Sequence, residues 1–378
     1  MKLLLLCLCV AFTQGGLAPL YLSSARGIPN SYVIKIKDVS LVDQVAEEIE
    51  NLFSKTRTAI TKLTTIRLVI PALTIRIPPH LVHSVRAIDG VEYVEQDQLG
   101  QLTSSSTQLN PTWGLDRIDQ RSSVLDDKYT MYDHATGDGV NIYVIDTGIQ
   151  VYHNEFGGRV TSLDGKIDDQ GHGTHCAGTA AGSTYGIARK AHIYSAKACE
   201  LIGCPLSQFT QACEYILKHG TKGVVSISIQ YYFSPSVTLD VQSMIDKGLL
   251  VSVAAGNDNS DACQWTPANI KDAITVGATD DKDTRAYFSN FGSCVDIFAP
   301  GVNIVSAGMS SHSDDETATM SGTSMACPHV SGVAALYIGV NPQLGQQYIK
   351  QVLLERSTPG VVYDARGSPN LLLYSLGV

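Results

Sequence analysis

Beyond residue 139 the chain alternates short, unbroken apolar runs with longer segments whose apolar residues recur at helical spacing. Residues 140–145, 223–229, 249–254, 273–277 and 294–298 are rich in β-branched side chains, while residues 207–217, 237–247 and 325–338 carry the helical period. A strand that is apolar on both faces needs cover on both faces, and helices between such strands supply it as crossovers in a parallel sheet. The alternation therefore predicts an α/β domain of three layers with a mostly parallel sheet. In such sheets chemistry collects beyond the carboxyl ends of the strands.

The preceding part reads differently. Residues 32–37 and 73–77 alternate as strands, and residues 41–53 have helical spacing with Glu47, Glu48 and Glu50 outward. Pro78-Pro79 opens a helix over 80–88, and Gly90 releases the chain into a strand over 91–95. A β-α-β-α-β order over 31–97 predicts a small ferredoxin-like α+β domain. Residues 98–105 are small and polar, which marks a linker and a site of proteolysis. Lys2 followed by the apolar run 3–12 reads as a signal peptide over residues 1–16, too short to span a bilayer. Secretion is expected, and a membrane-embedded product is not.

Charge separates the same parts. Of the net −9, residues 1–105 hold 10 Lys+Arg and 9 Asp+Glu, whereas residues 106–378 hold 17 and 27. An acidic chain is a poor partner for nucleic acid, because phosphates are neutralised by clustered cations. Export also alters how cysteine is read: seven remain after residue 16, an odd number in an oxidising compartment. Cys199, Cys204 and Cys213 allow three pairings with one thiol left over, and Cys176 and Cys327 read as small buried hydrophobes.

Three stretches carry chemistry. Ile145-Asp146-Thr147-Gly148 ends a strand with a carboxylate, Gly171-His172-Gly173-Thr174-His175 places an imidazole where a turn enters a helix, and Gly322-Thr323-Ser324-Met325 does the same with a hydroxyl. Serine becomes a nucleophile when a base takes its proton, and that base needs a third group to orient it. Each stretch alone has a plain explanation as a turn or cap. Together, in this order, they resemble the Asp, His and Ser signatures of the subtilases.

Further matches point to the proteinase K subfamily: Trp113-Gly-Leu-Asp-Arg-Ile-Asp119, Ala254-Ala255-Gly256-Asn257 and Phe288-Ser-Asn-Phe-Gly292. The resemblance covers nearly all of residues 106–378, implying a subtilisin-like peptidase domain, and likens residues 17–105 to an inhibitory propeptide. It implies Ser324 as nucleophile, His172 as base, Asp146 as its orienting carboxylate, Asn257 as oxyanion donor, and His175 as a packing residue. It also implies a Cys263–Cys294 disulfide, substrate contacts at Ser228, Ile229, Gln230, Ala254, Ala255, Gly256, Gly203 and Pro205, and a structural calcium at Asp296 with carbonyls near Lys271 and Ala273. No cofactor is expected for catalysis. A protein or peptide substrate, the chain's own propeptide as inhibitor and a monomeric state are expected.

The substrate channel departs from its family. Where subtilases often have Gly-Ser-Gly and Ser-Leu-Gly-Gly, this chain has Gly203-Cys204-Pro205 and Ser228-Ile229-Gln230-Tyr231. Pro205 has no N–H to donate, and Gln230 and Tyr231 place side chains where glycine leaves room. Narrowed specificity is the expectation. A catalytically silent binding protein on the same fold is the alternative class, and a thiol-dependent cytosolic enzyme is a third, disfavoured by the signal peptide.

Overall fold

The computed structural model describes residues 17–23, 27–56, 63–98, 105–220, 222–310 and 313–378. The signal-peptide reading, on residues 1–16, lies outside them. The chain divides into two compact units, Met1–Leu102 and Thr103–Val378.

In the first unit a five-stranded sheet has the order Leu20–Tyr21, Val91–Gln98, Gly27–Ile36, Ala72–Arg76, Leu63–Ile66. The helices Val42–Thr56 and Val82–Arg86 accompany it. Alternation puts Tyr32, Ile34 and Ile36 on the buried face, where they form a core with Val45, Ile49 and Phe53 of the long helix. Two strands went unread in the sequence, Leu20–Tyr21 and Leu63–Ile66. Both are short edge strands with exposed residues, so they carry little hydrophobic period. The linker read over 98–105 is shorter at both ends: Gln98 ends a strand, and Ser105 begins the strand Ser105–Leu109, paired antiparallel with Lys128–Tyr132. Residues 99–104 lie outside the described residues.

The second unit is built on nine strands in the order Thr358–Pro359, Leu371–Leu372, Ile297–Pro300, Ile274–Thr279, Leu250–Ala254, Gly223–Ile227, Asn141–Asp146, His192–Lys197, Val160–Ser162. All neighbours run parallel except the Thr358–Pro359 edge. Successive side chains point to opposite faces. Ile142, Val144, Val224 and Leu250 join one core with the helices His172–Ala181 and Thr323–Val340, while Tyr143, Ile145, Val225 and Val251 join another with Leu206–His219 and Pro235–Asp246. The result is the three-layer arrangement expected from the alternation.

Strand order places the chemistry. From Asn141–Asp146 the chain first builds outward to Val160–Ser162 and His192–Lys197, then returns to lay Gly223–Ile227 on the other side. The reversal opens a crevice at the carboxyl ends of these two central strands. Asp146 and Ser228 stand at its mouth.

Candidate active site

Asp146 is the last residue of its strand and is buried, with Oδ1 accepting from the Thr147 N–H at 2.7 Å. The same oxygen lies 2.7 Å from Nδ1 of His172, the first residue of the helix His172–Ala181. That bond fixes the ring's tautomer and leaves Nε2 as the nitrogen able to take a proton. The two elements meet this closely because Gly173 has no side chain: a Cβ there would stand 2.1 Å from the Gly148 carbonyl oxygen.

A residue that sequence reasoning missed holds the turn before His172. Asp168 is buried and accepts from the N–H groups of Gln170, Gly171 and Thr174 and from the hydroxyls of Thr147 and Thr174. Burial works against its charge, yet these donors outweigh it and keep the carboxyl below its ordinary range. Thr147 in turn accepts from the Gly173 N–H at 2.9 Å, stitching the Asp146 strand end to the His172 helix start. An Asp three residues before Gly171 was the available signal, a capping pattern easily read as a plain turn.

Ser324 is the second residue of the helix Thr323–Val340, a helix buried on nearly all sides. Pro328 sits beyond the first turn, inside the helix, where its missing N–H leaves the Ser324 carbonyl without a helical partner. Ser228 Oγ donates to that carbonyl at 3.0 Å and the Cys176 thiol at 3.3 Å. The freed carbonyl thus anchors the nucleophile's backbone to the central strand and to the His172 helix. Ser324 Oγ itself donates to the Ser228 carbonyl at 3.3 Å.

Cys176 is more than a small hydrophobe. Its sulfur lies 3.9 Å from His172 Nδ1 as well as reaching Ser324, so one side chain touches both. Burial pushes its pKa up to about 11, which keeps it a neutral donor and not a nucleophile. For His172, burial disfavours the imidazolium, but the Asp146 carboxylate outweighs it and carries the pKa well above the usual imidazole value. The ring is a third exposed. Its base form therefore accumulates on the alkaline side of the ordinary histidine range. His175, fully buried with Nε2 2.9 Å from the Ile304 carbonyl, is pushed down to about 4 by burial and stays neutral in the packing.

Asn257 follows the strand Leu250–Ala254. Its Oδ1 accepts from both the N–H and the hydroxyl of Thr323 at 2.9 Å, so its NH₂ is left for another acceptor beside Ser324. Ala254 and Ala255 are buried, and Gly256 takes a φ of 103° that favours glycine.

Segment 228–232 corrects one expectation. Tyr231 does not enter the channel: it pairs with Thr266 in a short antiparallel strand and packs edge-on against Phe209, ring centroids 5.6 Å apart. Gln230 alone turns inward. Its Oε1 accepts from the Asn257 N–H at 3.0 Å and its Nε2 donates to the Asp258 carboxylate. On the facing side, Cys199 is bonded to Cys204, which resolves the open pairing and leaves Cys213 as a buried free thiol. Glu200 and Gly203 exchange backbone hydrogen bonds of 2.8 Å within that closed turn, and Pro205 caps the helix Leu206–His219. The Cys263–Cys294 disulfide is also formed. At Asp296, the Lys350 ammonium stands beside the carboxylate.

A buried carboxylate–imidazole pair beside a serine at a helix start, on a parallel sheet, defines the site of a serine hydrolase. Comparison supplies the family. Residues 137–373 match the model of the subtilase family, and the chain belongs to that family. It is a subtilisin-like serine endopeptidase. It is 42% identical over 311 residues to an extracellular serine proteinase of Thermus sp. (strain Rt41A), covering 80% of this chain and 74% of that one. Subtilisin-like protease 1 of Pseudogymnoascus destructans is 41% identical over 294 residues, 75% of this chain and 72% of the relative. Among solved structures, a cold adapted subtilisin-like serine proteinase superposes with a TM-score of 0.66 at 41% identity, covering 70% of this chain and 98% of the other. Fungal relatives of this kind fit the proteinase K subfamily. Among the described residues no helix is long and apolar enough to cross a membrane.

Proposed function

We propose that the chain is a secreted, self-processing endopeptidase in which Ser324 attacks the scissile carbonyl, His172 takes and returns the proton, and Asp146 orients the ring. The observation that carries this reading is the 2.7 Å Asp146–His172 bond at the same crevice as Ser324. The Ser324 hydroxyl rotates from the Ser228 carbonyl to His172 Nε2 as the proton leaves. The tetrahedral oxygen then takes the Asn257 NH₂ and the Ser324 N–H, both aimed where negative charge develops. The amino end of the helix Thr323–Val340 adds its dipole. Collapse of the intermediate returns the proton from His172 to the leaving amine, and water repeats the sequence on the acyl-enzyme. Residues 17–105 act as inhibitor and folding aid until cleavage near Ser105-Ser106. A serine-directed fluorophosphonate is expected to label the mature chain at Ser324. Absence of label on correctly folded protein supports the silent binding protein instead.

Specificity is narrowed at the pocket for the residue before the scissile bond. The Gln230 amide reaches across from segment 228–230 to Asn257 and Asp258, directly over Gly256: a Cβ on Gly256 would meet Gln230 Oε1 at 2.4 Å. A large substrate side chain has to displace this amide and break both of its hydrogen bonds. Small residues at that position are therefore preferred. On a peptide library Gln230→Gly is expected to raise kcat/KM for cleavage after Phe or Leu by about tenfold or more relative to cleavage after Ala. Equal cleavage after Phe and Ala by the unaltered enzyme sinks this reading.

A further inference from the structure

We propose that Lys350 is a built-in cation that takes the place of a calcium ion at Asp296. The family resemblance assigns an ion to the Asp296 carboxylate and to carbonyls near Lys271 and Ala273. In this chain those oxygens converge on an ammonium group. Lys350 Nζ donates to the Lys271 carbonyl at 2.8 Å and to the Ala273 carbonyl, and lies 3.1 Å from the Asp296 carboxylate. Its side chain is only 13% exposed.

The chemistry of the donor set decides between the two cations. An ammonium has three N–H bonds, and here they meet two carbonyls and one carboxylate, both of whose oxygens lie at 3.1 Å. Calcium asks for six to eight oxygens at about 2.3–2.6 Å, and it cannot share this nest with a positive charge already seated in it. Asp296 is further committed, since Oδ2 accepts from the Thr275 N–H at 2.8 Å. The residues present do not fit a calcium ion.

The substitution changes what the site does. A bound ion links the loop before the strand Ile274–Thr279 to Asp296, and it does so only at a sufficient calcium concentration. Lys350 makes the same link covalently attached to the helix Gln346–Arg356, so it also ties that helix to the sheet. Gln346 and Gln347 of the same helix reach the carbonyls of Ile245 and Asp272, which seats the first turn and aims Lys350 at its partners. The sheet is thereby clamped at any calcium level.

The test uses the full chain carrying Ser324→Ala, so that self-digestion does not enter, and reads melting temperature in EDTA and in millimolar calcium chloride. With Lys350 intact, the calcium response is expected to be the same with Asp296 as with Asp296→Asn. Lys350→Ala is expected to lower the melting temperature in EDTA by roughly 3–8 °C. Calcium should then restore at least half of that loss, and adding Asp296→Asn should abolish the rescue. An Asp296-dependent calcium stabilisation of the chain with Lys350 intact overturns the proposal, and this comparison does not require any Lys350 variant to fold. Failure of calcium to rescue a folded Lys350→Ala chain overturns it as well. Neither outcome bears on the roles of Ser324, His172 and Asp146.

Discussion

Ser324→Ala leaves the chain at precursor length. On a denaturing gel the unaltered protein is expected to separate into a mature band and a propeptide, and the variant, made in a host lacking other proteases, to run as one band. Cys176 touches both His172 and Ser324, but burial holds its thiol neutral and its hydrogen is donated to the Ser324 carbonyl. Removing the nucleophile of such a triad costs about a million-fold in turnover in subtilisin. The variant should keep its fold, because the Ser324 side chain supplies only one weak hydrogen bond, to Ser228 at 3.3 Å, while the packing of its helix comes from other residues. Efficient processing of the variant in that host would falsify self-cleavage.

A second large effect is expected at Asn257, and here stability and chemistry have to be separated. In the proposed role Asn257 uses opposite ends of one amide: Oδ1 holds the Thr323 N–H and hydroxyl, and the NH₂ is the donor to the oxyanion. Asn257→Leu removes both, so it should lose stability along with about 100- to 1000-fold in kcat. Asn257→Asp keeps an acceptor for Thr323 and replaces the donor with an acidic oxygen. Its melting temperature should stay near that of the parent while kcat falls at least as far and KM barely moves, because the lost interaction exists only in the transition state. A variant that retains full kcat with either substitution removes Asn257 from the chemistry.

The two effects show why a local reading went so far. Asp146, His172 and Ser324 each stand at an element end within two residues of a glycine, and such ends are written in a few adjacent residues. The strands and helices that carry them were legible for the same reason: a short unbroken apolar run and an apolar period of 3.6 are local properties. What escaped was everything made by side chains reaching across the fold. Asp168 belongs to none of the motifs read from the sequence, although it holds the turn that delivers His172. Tyr231 looked like an obstruction in the channel until its pairing with Thr266 and its packing on Phe209 drew it away.

From residues alone, then, the layered α/β architecture and the family could be read, and the trio proposed for the chemistry could be named, because apolar patterning and short motifs record how a strand is covered and where a turn must place a polar group. Contacts distant in sequence belong to the tertiary structure. Packing chose Cys204 as the partner of Cys199 and buried Cys213 apart. It also folded Gln230 onto Asn257 and Asp258, and set Lys350 beside an aspartate 54 positions earlier in the chain. Hydrogen bonds of this kind leave no period in the sequence, since the donor and acceptor are brought together only when the helices dock on the sheet.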